Sequence, residues 1–102
     1  MTLTRTFAVL ADDTRWRILQ LVGEQDLSAS ALAKRLPVSR QAIAKHLSVL
    51  QETGLVEPAW VGRELRYRAA GAELSRLAGE LEQIARTWDR RLAAIKAVAE
   101  SL

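Results

Sequence analysis

Apolar residues recur every three or four positions through most of the chain, and this spacing predicts a mostly α-helical protein. The first predicted helix covers residues 4–11. Asp12 is a candidate N-cap for a second helix, which we expect to end at Gly23. Ser28 is a candidate N-cap for a short third helix over residues 29–36.

The fourth predicted helix begins after an N-cap at Ser39 and ends at Gly54. Its apolar stripe is narrow and contains Ile43, Leu47 and Leu50. Its opposite face is small, polar and basic, with Arg40, Gln41, Ala44, Lys45, Ser48 and Glu52. A short helix, a tight turn and a longer helix form a helix-turn-helix, predicted here over residues 28–54. An ordinary amphipathic surface helix is the alternative, and the flanking segments decide between the two.

The period of the apolar pattern changes after the fourth helix: residues 55–61 are β-prone, and residues 65–68 alternate apolar with basic side chains. Residues 55–69 predict a β-hairpin, in which Pro58 restricts the first strand to the edge of a sheet. In the second strand, alternate residues are expected to face the core (Leu65 and Tyr67) and the outside (Arg66 and Arg68). A basic hairpin directly after a helix-turn-helix indicates a wing that contacts DNA, with a charged, solvated hairpin as the alternative.

The last predicted helix, over residues 71–102, carries a sustained heptad repeat. The residues expected to form a dimer interface are Leu74, Leu77, Leu81, Ile84, Trp88, Leu92, Ile95 and Val98, and Leu102 closes the repeat. A helix of this length spans about 48 Å, and its apolar stripe must be covered. The equivalent helix of a second subunit is the simplest surface to bury this stripe, and a helix folded back on its own domain is the alternative.

The length of 102 residues predicts a single domain over residues 1–102. The net charge of +3 is modest, but its placement is informative. Between residues 34 and 68, seven basic residues stand against three acidic ones: Lys34, Arg35, Arg40, Lys45, Arg63, Arg66 and Arg68 against Glu52, Glu57 and Glu64. This concentration of positive charge favours a polyanionic partner. No apolar run resembles a signal peptide or a membrane span, so we expect a cytoplasmic protein without a membrane partner.

The composition argues against an enzyme, a cofactor site or a metal site. The chain contains no cysteine, one histidine and no glycine-rich phosphate loop. Four acidic residues could suggest a metal site: Asp12, Asp13, Glu24 and Asp26. They lie at predicted helix ends, where carboxylates are far more often caps and solvated charges. The sequence therefore predicts no catalytic residue, no cofactor and no metal ligand.

Four segments together resemble the ArsR family of bacterial winged helix-turn-helix repressors. They are residues 7–15 (FAVLADDTR), 39–50 with its Lys45-His46-Leu47, 54–56 (GLV) and 62–67 (GRELRY). The chain departs from the family at Asp13, where a proline is usual, and an acidic residue is well tolerated in a first helical turn. The resemblance implies a mostly α winged helix-turn-helix fold with a small β-hairpin. It also implies a symmetric dimer joined through long C-terminal dimerisation helices.

Members of the family are often released from DNA by a metal or another effector, but this chain departs from the metal sensors. It lacks the cysteine motif of the arsenic and cadmium sensors, and its terminal helix lacks the histidines of the zinc-type site. Residues 88–92 (WDRRL) resemble the metal-independent branch, often autorepressors, whose effector the sequence does not reveal. A small apolar ligand in a pocket between the terminal helices and the core, with Trp16 and Trp88 as candidate lining residues, is a further hypothesis. Ordinary core packing of these aromatic residues is its alternative.

These features predict a dimeric repressor that binds an inverted repeat in double-stranded DNA, with its own promoter as a candidate operator. Residues expected at base edges or the groove entrance are Ser39, Arg40, Gln41, Ala44, Lys45 and Ser48, while His46 packs or contacts a phosphate. Residues expected to hold phosphates are Lys34, Arg35, Arg63, Arg66 and Arg68. The alternative is a protein-interaction module that uses the heptad helix without specific DNA binding. A flat response to salt in DNA titrations would favour it.

Overall fold

A computed structural model describes residues 3–101, apart from the side chain of Leu3. The elements are α1 (Leu3–Leu10), α2 (Asp13–Glu24), β1 (Leu27–Ser28), α3 (Ala29–Arg35), α4 (Arg40–Glu52), β2 (Val56–Val61), β3 (Glu64–Ala69) and α5 (Gly71–Ser101). Met1, Thr2 and Leu102, the last predicted heptad residue, lie outside the described residues. The predicted mostly α winged helix-turn-helix with a long terminal helix is confirmed.

The three predicted N-caps are confirmed. The side chains of Asp12, Ser28 and Ser39 each accept a hydrogen bond from the backbone N–H three residues later, at 3.0 to 3.1 Å. These bonds satisfy N–H groups that have no partner inside the helix. The prediction that Gly23 ends α2 is wrong, because the helix continues to Glu24.

The core lies where α2, α3 and α4 meet the base of the sheet. Its buried side chains are Val9, Ile18, Leu19, Val22, Leu27, Leu32, Leu36, Ile43, Leu47, Leu50, Leu55 and Val56. Every residue of the predicted α4 stripe is in this cluster, so the opposite face of α4 must point outward. The Arg15 side chain joins α2 to α1 by donating from Nε to the Val9 carbonyl oxygen at 2.7 Å.

The predicted hairpin is part of a three-stranded antiparallel sheet with the order β1–β3–β2. The hairpin prediction omitted β1, in which Leu27 pairs with Tyr67 of β3. A strand of two residues is too short to show an alternating pattern in the sequence. Pro58 lies in the edge strand β2, as predicted, where its missing N–H costs no ladder hydrogen bond.

Within residues 3–101, α5 packs against the rest of the chain through its first turns. Leu74 packs against the core and Leu77 is buried, but every described residue from Leu81 onward is exposed. The alternative of a helix folded back on its own domain is therefore wrong. The assignment of Leu77 to the dimer interface needs correction, because its own chain already covers this side chain. Among the described residues, no helix combines the length and apolar character needed to cross a membrane.

Candidate nucleic-acid interface

Helix α4 presents its predicted recognition face to solvent. Arg40, Gln41, Ala44, Lys45 and Ser48 are all exposed on it. Ser39, the N-cap, is exposed at the start of the helix, whereas His46 is half-buried at the border of the apolar stripe. Because the buried stripe fixes the rotation of α4 on the core, these side chains keep one orientation relative to the wing.

The arginines of the wing lie in different electrostatic surroundings. Arg63 is exposed at the tip, next to Gly62, whose φ of +64° is the left-handed conformation that glycine readily adopts. Arg66 donates to the Glu64 carboxylate at 2.9 Å. Arg68 forms an ion pair with Asp26 at 3.2 Å, which joins the base of the wing to the segment before β1. Two of the three predicted phosphate contacts from the wing thus already have carboxylate partners.

The predicted contacts from α3 lie at the end of that helix. Lys34 and Arg35 occupy the last turn of α3, where positive charge favours the free carbonyl groups of a helix end. The Arg35 guanidinium lies 2.7 Å from the side-chain amide of Gln25, whose oxygen accepts when it faces the arginine. Arg35 therefore has a local structural role, while Lys34 is exposed without an ion pair within residues 3–101.

A groove of about 630 Å³ separates the recognition helix from the wing. One side is the first part of α4, including Arg40, Gln41 and Ala44, and the other side is the wing, including Trp60 and Arg63. Leu65 and Tyr67 both line this groove from the same face of β3. Tyr67 packs against the core as expected, whereas the half-buried Leu65 lies beyond the core cluster, which corrects the expectation for Leu65.

Sequence reasoning missed Trp60 as part of this groove. The signal that could have found it is the alternation of β2, which places Trp60 on the same face as the buried Val56. Its side chain is 70% exposed, the largest exposed fraction among the large apolar side chains that we describe.

Arg40, Lys45 and Arg63 are the uncompensated cations of this surface. None of them forms an ion pair with any other residue in the described part of the chain. The one acidic residue of the groove, Glu64, is paired with Arg66. The groove therefore presents net positive charge between two protruding elements, which suits a polyanion.

A second groove, of about 400 Å³, lies between α1, α2 and the start of α5. Phe7, Trp16 and Leu81 line it, but Trp88 does not. Trp88 of the same chain is therefore not part of this groove, and the hypothesis of a ligand pocket between the terminal helices and the core stays a prediction. Within residues 3–101, no cluster of three or more histidine, cysteine, aspartate or glutamate side chains is placed to hold a metal.

Comparison with known proteins assigns the family. A helix-turn-helix domain model matches residues 10–59. The regulator CmtR of Mycobacterium tuberculosis is 39% identical over 82 residues, covering 80% of this chain and 70% of that protein. The regulator Rv2034 of the same organism is 35% identical over 88 residues, covering 86% of this chain and 79% of that protein.

Solved structures agree with these relatives. The ArsR-like transcriptional regulator from Rhodococcus sp. RHA1 is 64% identical, with a TM-score of 0.87 over 98% of this chain and 92% of that chain. The chain belongs to the ArsR family. The ArsR-family assignment makes it a DNA-binding transcriptional regulator of the winged helix-turn-helix class, and the resemblance of the four sequence segments is confirmed.

A further structural neighbour is a domain of Mb0332 from Mycobacterium bovis. It is 28% identical, with a TM-score of 0.66 over 81% of this chain and 77% of that chain. That protein is described as a homodimeric winged helix-turn-helix DNA-binding domain.

Proposed function

We propose that this ArsR-family chain is a homodimeric repressor that binds an inverted-repeat operator. The observation that carries the proposal is the groove between α4 and the wing, where the exposed face of α4 and Arg63 lie on opposite sides of an open, positively charged space. In a winged helix-turn-helix protein this arrangement lets one helix enter the major groove while the wing reaches the adjacent backbone or minor groove.

The side chains of α4 are suited to direct readout. Gln41 can pair with adenine and Arg40 with guanine, while Ala44 offers an apolar contact to a thymine methyl group. Lys45 and Ser48 lie farther along the same exposed face and would contact base edges. Each good bidentate pair with a base contributes about 1–3 kcal/mol of discrimination between bases.

The cations around α4 would neutralise phosphates. Arg63 and Lys34 have no carboxylate partner in the described part of the chain, so they are the first candidates. Arg66 and Arg68 would have to exchange Glu64 and Asp26 for phosphate groups. Both pairs are partly exposed, and exposed ion pairs exchange at little cost. Arg35 and the half-buried His46 complete the proposed set of backbone contacts.

The exposed stripe of α5 supports dimerisation. Six of the predicted interface residues are between 41% and 64% exposed: Leu81, Ile84, Trp88, Leu92, Ile95 and Val98. A contiguous apolar surface of this length is typical of a protein interface. Leu74, which is half-buried, lies at the edge of this surface. The homodimeric neighbour from Mycobacterium bovis supports the same assembly for this chain.

The charges beside the stripe favour an antiparallel pair of α5 helices. Residues 71–82 contain three acidic residues and one basic residue: Glu73, Glu80 and Glu82 with Arg76. Residues 86–96 contain four basic residues and one acidic residue: Arg86, Arg90, Arg91 and Lys96 with Asp89. An antiparallel arrangement places the negative half of one helix beside the positive half of the other, whereas a parallel arrangement places like charges together.

A two-fold dimer implies two half-sites about one helical turn apart, or a multiple of it. Bound to a promoter, such a dimer would repress transcription by excluding RNA polymerase. Its own promoter is the first operator to test.

The decisive experiment is a titration of the protein with duplexes from its own upstream region and with duplexes selected from random sequence. Excess non-specific competitor and a salt series separate operator binding from electrostatic binding. We expect two chains per operator and a logarithmic affinity that falls steeply with the logarithm of salt concentration. Absence of any competitor-resistant duplex in both pools would favour the interaction-module alternative, in which α5 is the functional surface.

Lys45→Ala tests the assignment of α4. We expect it to lower operator affinity by about 1–3 kcal/mol, with a smaller effect on random DNA. Arg17→Ala, which removes one positive charge from an exposed position of α2, is the control and should bind like the wild type. If Lys45→Ala and the wild type bind the operator equally, α4 is not the recognition helix.

A further inference from the structure

The wing carries an exposed tryptophan on the face of the sheet that continues from the core. Trp60 is paired with Leu65 of β3, and side-chain alternation places it on the same face as Val56 and Pro58. At the base of the wing this face is covered, because Val56 is buried and Tyr67 packs against the core. Toward the tip the same face extends past the core and leaves Trp60 70% exposed.

Trp60 lines the groove between α4 and the wing. Small side chains, including Ser30 and Ala44, line the same groove, which leaves room for a bulky ligand beside the indole. Arg40 and Arg63 also line it, and neither has an ion pair in the part of the chain that we describe. An apolar ring and two free cations therefore share one open space of about 630 Å³.

This combination selects the chemistry of the occupant. An indole gains most from covering a flat apolar surface, and its N–H can donate to an acceptor at the edge of that surface. A second copy of the apolar α5 stripe would cover the indole but would leave Arg40 and Arg63 without anions. A sugar–phosphate strand offers both the apolar face of deoxyribose and the phosphate oxygens.

The position of the groove also indicates which part of the DNA would occupy it. With α4 in the major groove and the wing at the adjacent minor groove, the DNA strand that separates the two grooves must pass over the space between α4 and the wing. We propose that Trp60 packs against a deoxyribose of this strand, beside Arg40 at the groove entrance and with Arg63 on a flanking phosphate. The proposal rests on the proposed function, in which α4 enters the major groove.

A contact to a sugar does not distinguish one base sequence from another, so Trp60 contributes to the affinity for duplex DNA in general rather than to the choice of operator. We expect Trp60→Ala to weaken binding to the operator duplex and to a random duplex by the same factor, about tenfold. This loss of affinity is near the low end of the range for removal of an aromatic side chain that contacts a nucleotide. The slope of affinity against salt should not change, because the substitution removes no charge. Arg63→Ala, in contrast, should lower that slope by about one.

Val61→Ala is the matched control for Trp60→Ala. Val61 is the next residue of β2, is 44% exposed and lies on the opposite face of the sheet. We expect Val61→Ala to bind both duplexes like the wild type. Thermal unfolding of each variant shows whether the fold is kept, as we expect for a side chain as exposed as Trp60.

Tryptophan fluorescence gives a second measurement that needs only the wild type and Trp60→Phe. Trp16 and Trp88 lie on α2 and α5, and neither lines the groove between α4 and the wing. We therefore expect duplex DNA to quench the wild-type emission and to leave the emission of Trp60→Phe nearly unchanged. Trp60→Phe should retain most of the affinity, because its ring can still cover the sugar.

Three outcomes would overturn the proposal. Equal affinity of Trp60→Ala and the wild type for the operator would exclude the contact and leave the repressor function intact. A loss confined to the operator duplex would mean that Trp60 contacts a base and not the strand. A wild-type protein that binds no duplex would overturn both the contact and the proposed function.

Discussion

The recognition helix α4 and the terminal helix α5 carry the same kind of apolar stripe, but their own chain covers the whole stripe of α4 and the stripe of α5 only as far as Leu77. Ile43 and Leu47 are 0% and 1% exposed, whereas Trp88 and Ile95 are 56% and 64% exposed. Helix α4 lies between α2, α3 and the sheet, while α5 passes beyond the core after Leu77. The comparison teaches that an apolar stripe must be buried against another surface. The arrangement of the neighbouring elements decides whether that surface belongs to the same chain or to a second one.

Truncation of the two stripes should show the largest difference. Leu47→Ala should lower the free energy of unfolding by about 2–5 kcal/mol, because it leaves a cavity in a closed core. Ile95→Ala should change the unfolding of the dissociated chain by less than about 0.5 kcal/mol, because the side chain is exposed there. Urea denaturation at protein concentrations below the dissociation constant of the dimer measures both free energies of unfolding. Equal costs for the two variants would contradict the distinction between the helices.

A charge placed on the α5 stripe should break the dimer without unfolding the chain. Leu92→Glu places a carboxylate in the proposed apolar interface twice per dimer, and we expect association to weaken by about a hundredfold or more. Ala93→Glu adds the same charge one residue later, on the opposite face of α5, and should dimerise like the wild type. Sedimentation equilibrium measures the association. A Leu92→Glu variant that still dimerises would place the interface elsewhere.

The N-cap at Asp12 makes the free energy of unfolding depend on pH. The hydrogen bond from the Arg15 backbone N–H lowers the pKa of the Asp12 carboxyl below its ordinary value of 3.8, although burial opposes this effect. A lowered folded-state pKa stabilises the fold above pH 3.8, and the contribution is lost as the pH falls through the folded-state value. Asp12→Ala should therefore cost about 0.5–2 kcal/mol at neutral pH and much less in strong acid.

Asp12→Asn is the control for this prediction. Asparagine caps helices about as well as aspartate but does not titrate, so the variant should keep most of the neutral-pH stability. Its cap contribution should not decline in acid. Denaturant titrations of the three proteins across the acid range would detect the difference. A constant gap between the wild type and Asp12→Ala at every pH would mean that the cap contributes nothing as a charge.

Two glycines provide the smallest and most closely matched test. Gly79 lies inside α5 with no heavy atom within 4 Å of an added Cβ, so Gly79→Ala should stabilise the helix by about 0.5–1 kcal/mol. Gly54 follows α4 with a φ of +76°, which a Cβ disfavours, and Gly54→Ala should destabilise by about 1 kcal/mol or more. Thermal unfolding at one protein concentration compares the two. Effects of the same sign would contradict the local geometry.

Much of the fold was accessible from local patterns. The caps at Asp12, Ser28 and Ser39 were predicted because a side-chain oxygen beside a helix start acts within a few residues. The strand β1 was missed because its only support is the pairing of Leu27 and Ser28 with β3, far along the chain. Gly23 was a misleading stop, because glycine is tolerated in the last turn when the following residues can end the helix.

The candidate interface was partly accessible in the same way. The exposed face of α4 followed from its buried stripe, but the ion pairs of Arg66 and Arg68 did not, because Arg68 finds its partner Asp26 on a distant segment. Trp60 was overlooked because alternation places it on the inner face of the wing without showing that this face extends past the core. The separation of Trp16 from Trp88 likewise depends on how α5 leaves the core.

By itself, the sequence determined the helical and alternating periods, the caps, the excess of basic residues and the absence of cysteine, because each depends on neighbouring residues or on composition. The periods and caps predict a winged helix-turn-helix, and the ArsR family came from the resemblance of residues 7–15, 39–50, 54–56 and 62–67. Only the tertiary structure decided that Leu77 is covered by its own chain and that the α5 stripe beyond it is not. It also decided that Trp60 shares a groove with Arg40 and Arg63. The reason is physical: periodicity shows which side chains share a face, whereas burial and ion pairing depend on what packs against that face.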